Sequence, residues 1–199
     1  STLPSNLLVL YLSSGPAATQ FYIFPYTTLS DLLAFGTYVG TKFKYEKSGY
    51  KPFLDVSFWY LSGDDDEPSR KKNHDFVSYE DIDSTLILEE NDYGLDIDSN
   101  YWALKFKSGF KLNPLLNEEV RLEVLYAHFK AIDVPRGKSR RMGEEVDLRL
   151  IWEYSPDLTF SLAAGFLFNS RYLDQVFDEV GARGKSGAFL LRFESMLRF

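Results

Sequence analysis

The tail of the chain alternates. Phe189, Leu191, Phe193, Leu197 and Phe199 fall on one phase of period two, and Arg192, Glu194 and Arg198 fall on the other. Successive side chains of a strand point to opposite faces, so a strand here has one oily face and one charged face. A soluble sandwich would bury the oily face against a second sheet. A transmembrane barrel would turn it to lipid and leave the charges in a wet lumen.

The same rhythm recurs upstream. Val146, Leu148, Leu150, Trp152 and Tyr154 alternate with Glu145, Asp147, Arg149 and Glu153, with Ile151 the exception. Leu158, Phe160, Leu162, Ala164, Phe166 and Phe168 alternate with Thr159, Ser161, Ala163 and Gly165. Trp102, Leu104, Phe106 and Phe110 alternate with Ala103, Lys105, Lys107 and Gly109; Val120, Leu122, Val124 and Tyr126 alternate with Glu119, Arg121 and Glu123. Leu33, Phe35, Val39, Phe43 and Tyr45 alternate with Ala34, Gly36, Gly40, Lys42 and Lys44. This length of alternation predicts strands, and helical period is nowhere sustained.

The connections separate the two architectures. Tight links at Ser48–Pro52, Asn113–Asn117 and Ser155–Asp157 alternate with long polar ones at Ser62–Ser99, Asp133–Gly143 and Asn169–Gly187. Outer-membrane barrels have that asymmetry, with short periplasmic turns and long extracellular loops. Many of the strands run to roughly ten residues, as a tilted span requires, and aromatics gather toward their ends. The reading is an all-β, antiparallel transmembrane β-barrel treated as one domain over 1–199, with about nine strands in this chain. They are placed at Ser5–Leu12, Gln20–Thr27, Leu33–Lys47, Pro52–Leu61, Asn100–Lys111, Glu118–Ala131, Glu144–Tyr154, Leu158–Phe168 and Gly187–Phe199. Single-chain bacterial barrels usually have even counts, so an odd count predicts part of a larger barrel of about 18 strands. The alternative is one miscounted strand, for which Thr85–Glu89 is the candidate.

Composition removes other classes. No apolar run is long enough for a membrane helix, while a mean hydropathy of -0.23 suits half-apolar barrel strands. The absence of cysteine excludes disulfides, thiolate metal sites and thiol catalysis. A net charge of -7 without a basic stripe argues against nucleic acid. Ser1–Ser5 lacks the basic start and cleavage site of a signal peptide, which suggests a mature product or part of something longer.

Three segments carry a family resemblance. Leu54–Asp64, a strand running into Ser62-Gly63-Asp64, resembles a strand and loop of the alginate-export family of outer-membrane porins. Gly143–Leu148 with Tyr154–Leu158 is similar to that family's Gly-x-Glu-hydrophobic-Asp-Leu strand and turn, and Leu190–Phe193 with the terminal Phe199 is similar to its ending. The resemblance covers roughly Leu33 to Phe199 and implies a barrel of about 18 strands that passes an anionic polysaccharide through a basic lumen. Here the charged phase mixes Glu119, Glu123, Glu145, Asp147, Glu153 and Glu194 with its cations, which departs from that expectation.

The expected function is therefore a channel in the outer membrane of a Gram-negative bacterium. It would pass polar or anionic solutes, with alginate-like glycans as one cargo class, and would involve no enzymatic step and no cofactor. Its partners would be outer-membrane lipid, the solute, and the barrel-assembly machinery reading Phe193, Leu197 and Phe199 of the last strand. The candidate anion-attracting pore lining is Lys42, Lys44, Lys105, Lys107, Arg121, Arg149, Arg192 and Arg198. The competing reading pairs these cations with acids across strands. Lys105 and Lys107 are the foremost candidates because their own strand offers no acid on that face. Asp64, Asp65 and Asp66, followed by Glu67, could offer oxygens to calcium, although a solvated acidic patch suits such a run better. His128 sits on the apolar phase and suggests a lipid-modifying barrel enzyme as an outside alternative, but no His-x-Ser signature accompanies it. His74 has no spaced partner for a metal. A soluble β-sandwich or barrel that binds a ligand is the remaining alternative.

Overall fold

The computed structural model describes residues 8–14, 17–26, 34–63, 84–90, 97–116, 119–134, 137–171 and 186–198. The chain is all-β. Its strands are β1 (Leu8–Ser14), β2 (Ala17–Tyr26), β3 (Ala34–Lys44), β4 (Phe53–Leu61), β5 (Tyr101–Lys111), β6 (Glu119–Ala131), β7 (Arg141–Glu153), β8 (Leu158–Phe168) and β9 (Ala188–Leu197), with one short helix, α1 (Asn113–Leu116), between β5 and β6. They form one antiparallel sheet in sequence order, each pairing with the next. Among the described residues the sheet is open: β1 and β9 each have a single neighbour.

Strand ends differ from expectation where local chemistry intervenes. β3 stops at Lys44, not Lys47, because the Tyr45 amide already bonds the Pro52 carbonyl at 3.0 Å and Lys51 turns through φ 41°. β7 starts at Arg141 rather than Glu144. Phe129 pairs with Gly143 and Lys130 with Arg141, so Met142 is an extra residue in a bulge, and Gly143 takes φ 123° there. A bulge re-aims a side chain, and Met142 is buried in the core. β1 and β2 each sit a few residues from their predicted positions and are joined at 15–16. Thr85–Glu89 is not a strand: it is a turn in which the Glu90 amide bonds the Thr85 carbonyl at 3.2 Å.

Register fixes the two faces. One carries Lys42, Asp55, Lys105, Glu123, Asp147, Gly165 and Arg192; the other carries Phe58, Phe106, Tyr126, Leu148, Leu162, Phe166 and Phe193. The amphipathicity is inverted relative to a water-soluble sheet. The apolar residues of the second face are the exposed ones, whereas Lys105, Glu145 and Asp147 of the charged face are buried. Aromatics run along the exposed face as cross-strand neighbours, including Phe58 with Trp102, Phe106 with Tyr126, Trp152 with Phe160, and Phe166 with Phe189 at 4.8 Å between ring centres. Its charged groups on β3–β9 (Lys130, Arg141 and Glu144) all lie at the end that carries the connections 62–100, 132–140 and 169–187.

Candidate functional site: a turn inlaid in the charged face

What covers the charged face is the segment 84–90. Thr85, Leu86, Ile87, Leu88 and Glu89 are each 0% exposed. A single turn cannot satisfy its own leading amides, so they need outside acceptors. Two carboxylates of β7 supply them: Leu86 donates to Asp147 Oδ2 at 3.1 Å, Ile87 to Glu145 Oε1 at 2.7 Å, and Leu88 to Glu145 Oε2 at 3.1 Å. Glu145 and Asp147 alternate along one strand face, which places both acceptors under consecutive amides.

The turn's apolar side chains join Leu61, Tyr101, Ala103, Ala127, Phe129, Met142, Ala163 and Leu167 in one buried cluster. Backbone must approach closely for this, and β8 makes room with small residues. A Cβ on Gly165 would meet Leu86 Cβ at 3.1 Å and Ile87 Cγ1 at 3.2 Å.

Two acids of the turn then clamp it. Glu89 is buried and fully engaged: Oε2 accepts from the Ser84 hydroxyl at 2.6 Å and the Thr85 amide at 3.1 Å, while Oε1 accepts from Tyr101 at 2.6 Å and from Lys105. Lys105 also donates to Ser84 Oγ at 2.5 Å and lies over the Trp59 ring at 5.0 Å. Glu90 sits at the border of the cluster. Both its oxygens take Arg192, with Nη2 to Oε1 at 3.2 Å, and Arg149 Nη2 is 3.7 Å away.

The predicted pore-lining residues divide accordingly. Lys42, Lys44, Lys105, Lys107, Arg121, Arg149 and Arg192 project from the same face. The turn brings Lys105, Arg149 and Arg192 together through its two acids, whereas Lys42 lies apart, 3.6 Å from Asp55, and Lys44 is at the exposed end of β3. Lys105 and Lys107, whose own strand offers no acid on that face, find acids on other elements. Lys105 is 3% exposed and paired with Glu89 of the turn, and Lys107 is 2.8 Å from Glu123, which also takes Arg121 Nε at 3.0 Å. Arg198 lies past β9 and its amide bonds the Asp157 carbonyl at 2.8 Å.

Phe193 and Leu197 point to the exposed apolar face; Phe199, Asp64, Asp65, Asp66, Glu67 and His74 lie outside the described residues. His128 is on the apolar face at its charged rim, 3.3 Å from Glu144 and stacked near Trp102 at 5.3 Å. Among the described residues no three His, Cys, Asp or Glu side chains are arranged to hold a metal. Beside the turn lies a small recess, with room for about one water molecule, lined by Ser84, Lys107, Glu123, Leu125, Asp147 and Arg149. It offers donors and acceptors to a polar guest.

Sequence reasoning missed the turn's Glu89 and Glu90 and the acceptor role of Glu145 and Asp147. The small phase of β8 at Ala163 and Gly165, and the doubly apolar stretch Val124–Phe129 of β6, are the signals that mark a segment laid against the charged face. No family model matches the chain, and no curated protein matches it in sequence.

Proposed function

We propose that the chain forms the wall of an outer-membrane β-barrel channel for polar or anionic solutes, with the inlaid turn as a plug inside its lumen. The observation that carries this reading is the inverted amphipathicity: the oily face lies bare while buried charges and a folded-in segment occupy the other. In water an exposed apolar surface of this extent is a liability; in a bilayer it is the required surface. On β5 the apolar phase from Trp102 to Phe110 covers roughly 26 Å along the strand at ~3.3 Å per residue, or about 20 Å across the sheet at a ~40° tilt. That approaches the roughly 25 Å apolar band of barrel proteins.

The open edges support a larger barrel. Phe193 on β9 is 68% exposed against 38% for Phe58 on β4, as expected of a strand lacking a second neighbour. Hydrocarbon tolerates no unpaired strand edge, so further strands must complete the wall. The resemblance to alginate-export porins suggests about 18 in all and an anionic polysaccharide such as alginate as the cargo class. The reading involves no chemical step; width and charge of the conduit select. It is tested by detergent extraction with gel migration of unheated and heated protein, and by conductance in planar bilayers. Stepwise conductance from folded, detergent-extracted protein is expected. A monodisperse, detergent-free soluble protein without conductance would overturn the reading in favour of a soluble ligand-binding sheet protein.

A further inference from the structure

We infer that Glu90 tunes the ion selectivity of the passage beside the plug, by offsetting one of the two positive charges that Arg149 and Arg192 bring to it and so weakening its preference for anions. The inference rests on the channel reading and specifies the residue that governs it. The plug offers two described carboxylates to the wall, and they differ in place. Glu89 is sealed in the core against Lys105, where no permeating ion reaches it. Glu90 is only partly buried, grips Arg192 with both oxygens and lies 3.7 Å from Arg149, which lines the recess.

Lys107 and Arg121 share the single carboxylate of Glu123, and the second acid on Arg192, Glu194, is 3.2 Å away with a side chain 52% exposed, where screening leaves little of its attraction. Asp147 accepts from the Leu86 amide and lines the same recess as Arg149. Guanidinium stays charged at any working pH, so removing Glu90 adds one unit of positive charge to the field at this level. Selectivity follows the net field, not the number of charges on the wall.

The test is reversal potential in planar bilayers under a potassium chloride gradient. Glu90→Gln is expected to raise the chloride-to-potassium permeability ratio by roughly sixteenfold, about fourfold in favour of chloride and about fourfold against potassium, the effect of one unit charge about 5 Å away in water. The Arg149→Gln, Arg192→Gln double variant, which keeps Glu90, is expected to move the ratio the opposite way. The triple variant, which loses two positive charges and one negative, should fall between the parent and the double variant. An unchanged ratio in Glu90→Gln overturns the inference, as does an anion shift that persists in the triple variant. If Glu90→Gln does not fold, the double variant decides, and absence of its cation shift is equally fatal. A parent that never conducts removes the channel reading itself, a result distinct from all of these.

Discussion

Replacing Glu89 with alanine tests how the plug is held. The substitution strips Lys105 of its acid partner in a site where the lysine is 3% exposed, and takes an acceptor from Tyr101, Ser84 and the Thr85 amide. Removing one partner of a buried pair costs about 3–5 kcal/mol, since the remaining charge stays desolvated. The rings of Trp59 and Phe129, at 5.0 and 5.4 Å from Lys105, recover about 0.5–2 kcal/mol of that. The net loss is therefore about 3 kcal/mol, close to a hundredfold in the docking equilibrium. The strand ladders are untouched, so the loss should be local. Hydrogen exchange read at individual amides is the assay. Leu86, Ile87 and Leu88 should lose about two decades of protection while Phe106 and Val146 keep theirs. Combining Glu89→Ala with Lys105→Met removes both ends of the pair and should restore most of the protection. Equal loss in the single and double variants, or a loss spread evenly over the strands, would refute the reasoning.

Other outcomes follow from the same geometry. Gly165→Leu drives a side chain into Leu86 and Ile87, where even a Cβ would lie 3.1–3.2 Å away; it should unseat the plug at a cost of about 1–3 kcal/mol and raise unitary conductance. Glu145→Gln keeps the shape but leaves one oxygen for the Ile87 and Leu88 amides; protection at one of them should fall by about tenfold or more, from an orphaned donor worth about 1–3 kcal/mol. Leu148→Arg, at the middle of the exposed apolar face, should cost about 2–4 kcal/mol in denaturant unfolding from vesicles, whereas an exposed site on a water-soluble protein would register within ~0.5 kcal/mol. Asn100→Ala loses two bonds to the Asp133 backbone, at 2.8 and 2.9 Å, and places alanine at φ 60°; a stability loss of about 1–2 kcal/mol is expected.

The sheet was legible because its physics is local. Alternation on β4, β5 and β8 placed those strands within a residue of their observed bounds, and both faces of the tail strand were assigned by phase alone. The charged face was legible as a set of residues but not as a set of partners. The acid partner of Lys105 was not legible because Glu89 comes from a turn 16 residues away in sequence rather than from a neighbouring strand. The turn itself was misread as a strand candidate. A short apolar run, Leu86-Ile87-Leu88, fits either geometry by periodicity, and what decides it is a pair of carboxylates 57–61 residues later. The bulge at Met142 was hidden for a similar reason, since an inserted residue breaks phase without leaving a compositional mark apart from Gly143.

The turn's dependence on distant strands dictates an order of assembly. Its amides find their acceptors on β7, its acids find Lys105 on β5 and Arg192 on β9, and its oily residues need the hollow at Gly165 on β8. These partners stand together only once the five strands β5–β9 are in register, so the turn's full set of contacts depends on all of them. On the channel reading the wall would be in register before the segment that narrows its passage is held.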